Sequence, residues 1–73
     1  MTNLELLEDK IKKSGKKKTY LAMKIGLTYA GFRNCCTNKA EFKASQIQTL
    51  CEELNITSLK ERHAIFFASD VAL

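Results

Sequence analysis

Three cysteines, Cys35, Cys36 and Cys51, and a single histidine, His63, are the side chains of this chain best suited to metal or redox chemistry. A zinc site needs four ligands converging as a tetrahedron, usually from paired C-x(2–4)-C spacing, and these residues lack that spacing. Cys35 and Cys36 are adjacent, so on a helix they point about 100° apart and cannot easily grip one ion. A catalytic cysteine needs a base and an orienting group, and the only candidate base, His63, stands far along the chain. No metal, no cofactor and no enzymatic activity are therefore expected, and His63 reads as a surface or interface residue. An odd number of cysteines with no signal-like opening segment suits reduced thiols in a cytoplasm. Periodicity assigns Cys35 and Cys51 to a core and leaves Cys36 partly exposed and open to oxidation.

The stretch "IGLTYAGFRNCC", residues 25–36, carries a second chemistry, that of recognition. Tyr29, Arg33 and Asn34 offer a phenol, a guanidinium and an amide within six positions. The charge around them is lopsided. Ten basic residues stand between Lys10 and Lys43 against the single acid Glu41, whereas the segments on either side are net acidic and the whole chain carries +4. Such a local positive field suits a polyanion, because each phosphate neutralised releases condensed counterions. Lys10, Lys12 and Lys13 read instead as a solvated helix face.

These side chains need a scaffold, and 73 residues allow one domain with one small core. With no proline and three glycines, helices are favoured throughout. No apolar run is long enough to span a bilayer. A first helix is expected to begin at Thr2, where Thr2-x-x-Glu5 fits a capping box, to carry Leu4, Leu7 and Ile11 on one face, and to end at Gly15. A second, over residues 18–24, turns Leu21 and Ala22 inward with Ile25, and Gly26 supplies a left-handed turn. Thr28 caps a third helix running to about Cys36, with Phe32 and Cys35 on its buried face. The loop "TNKAEF" follows. A fourth helix, about 44–54, has Ile47, Leu50, Cys51 and Leu54 at i, i+3, i+4, i+7 and is closed by Asn55. Ser58-x-x-Glu61 opens a short fifth helix to about Phe66, leaving residues 68–73 as a tail.

Residues 18–37, "KTYLAMKIGLTYAGFRNCCT", resemble the helix-turn-helix of the lambda-repressor-like and Cro-like family of phage and bacterial regulators. Leu21 and Ala22 fall where that family has an apolar residue followed by a small one, Ile25-Gly26-Leu27 matches its turn, and Phe32 and Cys35 occupy its two buried recognition-helix positions. The preceding amphipathic helix and "EFKASQIQTLCEELNI" are similar to its first and fourth helices. The resemblance implies an all-α, compact five-helix DNA-binding domain over residues 1–67. It also implies a sequence-specific transcriptional regulator, with the third helix in the major groove of double-stranded DNA. Base contacts are then expected from Thr28, Tyr29, Ala30, Arg33 and Asn34, and phosphate contacts from Lys18, Lys24, Lys39 and Lys43. Asn34 suits adenine, Ala30 a thymine methyl and Tyr29 a base edge, while Arg33 suits either guanine or a phosphate. The N-terminal ends of helices two and four add backbone N–H groups for phosphates. Lys18 stands where the family often has glutamine, and Cys35 where it has a larger aliphatic residue.

Family members bind paired half-sites as two-fold dimers, so a homodimer on a palindromic operator is expected. Adjacent phenylalanines cannot both enter so small a core, and Phe66 or Phe67, with Val71, is expected to form the dimer contact. The main alternative is a protein-interaction module, antitoxin-like or anti-repressor, on the same fold. A third is an RNA-binding or architectural protein that uses charge alone.

Overall fold

A computed structural model of the chain describes residues 2–67, and these form five α-helices with no strand among them. The helices are α1 (Leu4–Ser14), α2 (Lys18–Lys24), α3 (Tyr29–Cys36), α4 (Ala44–Glu53) and α5 (Leu59–Phe66). No helix among the described residues is long and apolar enough to cross a membrane.

One face of each helix supplies the single core. Leu7 and Ile11 come from α1, Leu21 and Ala22 from α2, Phe32 and Cys35 from α3, Ile47, Leu50 and Cys51 from α4, and Ile65 and Phe66 from α5. Four further core residues lie outside the helices, Ile25 and Leu54 as the C-caps of α2 and α4, and Phe42 and Ile56 in the connections before α4 and α5. The ring of Phe42 meets Phe32 edge-on, with centroids 6.1 Å apart, and Phe66 almost at right angles, with centroids 5.8 Å apart. It is therefore the aromatic wedge between α3 and α5, a geometry that the quadrupoles of the rings favour.

Three of the helices end alike. In α2, α3 and α4 the first residue past the C-cap takes positive φ, Gly26 at 75°, Asn38 at 61° and Asn55 at 58°. The next residue donates its N–H back into the last turn, Leu27 to Ala22, Lys39 to Asn34 and Ile56 to Cys51. This reversal satisfies carbonyls that would otherwise be left without donors.

The start of α1 differs from the expected capping box. Asn3, not Thr2, is the N-cap, its side chain accepting the Leu6 N–H at 3.2 Å. Thr2 is buried because Asn38 holds it from both sides. The Thr2 N–H donates to Asn38 Oδ1 at 3.1 Å, and the Thr2 carbonyl accepts from Asn38 Nδ2 at 3.0 Å. The Asn3 N–H donates to the Ile65 carbonyl at 2.6 Å, so the chain entering α1 is tied to both the α3–α4 connection and α5. With its backbone so committed, Thr2 cannot adopt the capping position, and asparagine is as good an N-cap as threonine or better.

Lys16 reaches across to α4, donating from Nζ to the Glu53 carbonyl at 2.7 Å and to its carboxylate at 2.9 Å. That hydrogen bond holds the Glu53 carboxyl below its ordinary range. Its contribution to stability is present above the ordinary carboxylate pKa and is lost as pH falls through the lowered one.

Candidate functional site

The α2–α3 pair is built around small and apolar contacts. Leu21 and Ala22 of α2 and Phe32 of α3 are almost fully excluded from solvent, so the two helices meet closely along their inner sides. The turn between them is set by Gly26, whose φ of 75° is a conformation that L side chains rarely adopt. Thr28 then caps α3, its Oγ1 accepting the Gly31 N–H at 3.1 Å. The same hydroxyl keeps its own hydrogen for an outside acceptor.

With the inner side of α3 committed, the outer side follows from 3.6-residue periodicity. Tyr29, Ala30, Arg33 and Asn34 are all exposed, as is Thr28. Tyr29 has 49% of its surface accessible, unusual for a large aromatic in a folded chain. One helical face thus offers hydroxyl, phenol, methyl, guanidinium and amide groups together.

The basic residues sort into two sets. Lys10 pairs with Glu61 at 2.8 Å, Lys13 with Asp9 at 2.9 Å, Lys16 with Glu53 and Lys18 with Glu8 at 2.7 Å, mostly around α1. Lys12 and Lys13 are exposed, as a solvated face requires, and Lys13 and the half-buried Lys10 each also pair with an acid. Lys17, Lys24, Arg33, Lys39 and Lys43 are exposed around α2, α3 and the start of α4. Lys24 Nζ lies 5.9 Å from the centroid of the Tyr20 ring, which leaves its ammonium at the surface. Lys18, expected to be a phosphate ligand, is instead held by a carboxylate, and the hydrogen bond it donates to Glu8 raises its pKa. No local pattern in the sequence announces this pair, because its partners lie ten residues apart on different helices.

Lysine also stands at the N-cap of both α2 (Lys17) and α4 (Lys43), and neither has a side-chain acceptor for the helix N–H groups. The other three helices carry a capping Asn3, Thr28 or Ser58. At α4 only the reverse half of a capping box forms, the Lys43 N–H donating to Gln46 Oε1 at 2.8 Å.

Phe66 and Phe67 divide as adjacent helical residues must. Phe66 is in the core and is not available to a partner, whereas Phe67 is 37% exposed with its ring against His63 at 5.4 Å. His63 itself is exposed. Val71 and the rest of the expected tail, residues 68–73, lie outside the described residues.

Cys35, Cys36 and Cys51 form no disulfide. Among the described residues no group of three or more His, Cys, Asp or Glu side chains is arranged to hold a metal ion. Burial pushes all three thiols up, Cys36 to about 11. Cys36 is thus more protected than its sequence position suggested, since the thiolate is the reactive form and only about one in a thousand would be ionised at pH 8. A thiol-specific chromogenic reagent at pH 8 should react slowly with the native protein and rapidly with three thiols once denaturant is added. A fast native stoichiometry of one would contradict this placement of Cys36. Comparison of the chain with models of known protein families, with curated proteins and with solved structures finds no match.

Proposed function

We propose that the chain is a sequence-specific double-stranded DNA-binding regulator of the lambda-repressor-like and Cro-like kind, with α2 and α3 as its helix-turn-helix. It would act in the cytoplasm of a bacterial or phage-infected cell, without enzymatic activity or cofactor. The observation that carries the reading is the outer face of α3. Tyr29, Ala30, Arg33 and Asn34 stand exposed on a helix whose inner side is anchored to α2, in the midst of the exposed cations. A rigid helix of this kind fits the major groove, where base edges offer acceptors, donors and the thymine methyl.

In this reading Asn34, Tyr29, Ala30 and Thr28 address bases, and Arg33 addresses guanine or a phosphate. Lys24, Lys39 and Lys43 position the domain on the backbone, joined by the N–H groups at the start of α4. A two-fold dimer would bring two copies of α3 to successive major grooves, with the exposed Phe67 at the end of α5 as the contact on this side of the chain.

Two substitutions separate reading from positioning. Asn34→Ala should relax preference at one base position, at a cost of about 1–3 kcal/mol against the preferred sequence. Lys39→Ala should weaken all duplexes alike and reduce the salt slope by about 1. Competition binding with a panel of duplexes at two salt concentrations measures both. If Asn34→Ala left the order of preference intact, its assignment to base readout would be wrong.

A further inference from the structure

Glu8 is the acid that the binding surface does not account for. It lies on the exposed side of α1, yet its carboxylate reaches α2 and accepts from Lys18 Nζ at 2.7 Å. Both side chains remain open to water, Lys18 at 39% and Glu8 at 49% of their surfaces. They share a recess of about 140 Å³ whose remaining walls belong to α3, Tyr29 and Arg33 among them. A negative charge therefore sits at the edge of the face expected to meet DNA, on the one lysine at the start of α2 that points into that recess.

We propose that Glu8 is an internal competitor for the phosphate that Lys18 would otherwise bind, a brake on affinity built into α1. The inference rests on the DNA-binding reading. Its physical content is an exchange of ions. A lysine without a carboxylate partner that meets a phosphate releases one condensed counterion and adds about 0.9 to the salt slope. Lys18 must first leave Glu8, and the freed carboxylate then draws a cation of its own, so the net release at this position is near zero. Removing the carboxylate turns the exchange into simple neutralisation and removes a charge that repels the backbone. An exposed pair of this kind is weak enough to be broken by a competing anion.

The test is binding to a random-sequence 20-base-pair duplex from about 50 to 200 mM salt, with four proteins: the parent chain, Glu8→Gln, Lys18→Gln and the double variant. Glu8→Gln should bind about tenfold tighter at the low end and about threefold tighter at the high end, its slope steeper by about 0.9. Lys18→Gln should leave the slope where the parent has it, and the double variant should return to that slope. Glu5→Gln makes the same change in net charge on α1 and should not steepen the slope. That control separates loss of the competitor from a general gain of positive charge. An unchanged slope in Glu8→Gln, or weaker binding, would overturn the proposal and make Glu8 a strut that positions Lys18 for its phosphate. A shallower slope in Lys18→Gln would overturn it as well. If the parent chain failed to bind any duplex at 50 mM salt, the DNA-binding reading itself would fall, a result distinct from both.

Discussion

Lys43→Asp should make the protein more stable and a weaker DNA binder at the same time. Lys43 is the N-cap of α4 and has no oxygen to accept the free N–H groups of the first turn. Aspartate at the same backbone position is among the best N-caps, and with Gln46 already accepting the N–H of residue 43 it would complete a capping box. The expected gain is about 1 kcal/mol, or an increase of roughly 4–8 °C in Tm for a domain of this size. On DNA the same change removes a cation, blocks the N–H groups that would receive a phosphate, and places an anion against the backbone. We expect a loss of about 2 kcal/mol, roughly thirtyfold, for all duplexes alike. Thermal denaturation and duplex titration read the two effects separately. An α4 terminus with no role in binding would give the rise in Tm without the loss of affinity.

Phe42→Ala has the largest expected effect on the fold. The ring is 8% exposed and contacts Phe32 on the back of α3 and Phe66 at the end of α5. Truncation removes both edge-to-face contacts and leaves a cavity that flanking helices fill only in part, at a cost of about 3–5 kcal/mol. A domain of this length has total stability of about 4–10 kcal/mol, so the variant should lose much of its cooperative transition near physiological temperature. Phe42→Leu, which keeps much of the volume, should cost about 1–2 kcal/mol and keep the fold. Urea denaturation followed by circular dichroism checks both. A loss below about 1 kcal/mol for Phe42→Ala would mean that the wedge is not what joins α3 to α5.

The helices themselves were legible because their signals are local. The alternation of Leu21, Ala22 and Ile25, the glycine at position 26 and the threonine at 28 each act within a turn of their own position, and α2 and α3 begin and end where those residues direct. Ser58 likewise caps α5, accepting the Glu61 N–H at 3.3 Å. What escaped a reading of the sequence is non-local. Phe42 and Ile56 stand in connections, where no periodicity marks a residue as core. The displacement of Thr2 from the cap depends on Asn38, 36 positions away. The exposed face of α3 could be foreseen from the positions of Phe32 and Cys35, since the 3.6-residue period turns positions 29, 30, 33 and 34 away from the side those two share. The pairing of Lys18 with Glu8 could not, because opposite charges are abundant in this chain and only the tertiary fold selects which of them meet.

The division of labour among the cations follows from the same packing. Lys10, Lys13 and Lys16 each meet an acid of α5, α1 or α4, whereas Lys12 on α1 and the cations around α3 and the start of α4 are exposed. In the proposed DNA-binding reading, the exposed cations around α3 would steer a polyanion toward that helix before any base is read.

Selection from randomised duplex DNA at about physiological salt, with competitor present, tests the central claim most directly. Enrichment of a palindromic motif is expected, its half-sites separated by about one helical turn, roughly 34 Å, with preference at one position in each half lost in Asn34→Ala. Failure to enrich any sequence, with affinity following charge alone, would contradict it and favour an architectural or protein-binding role for the same fold.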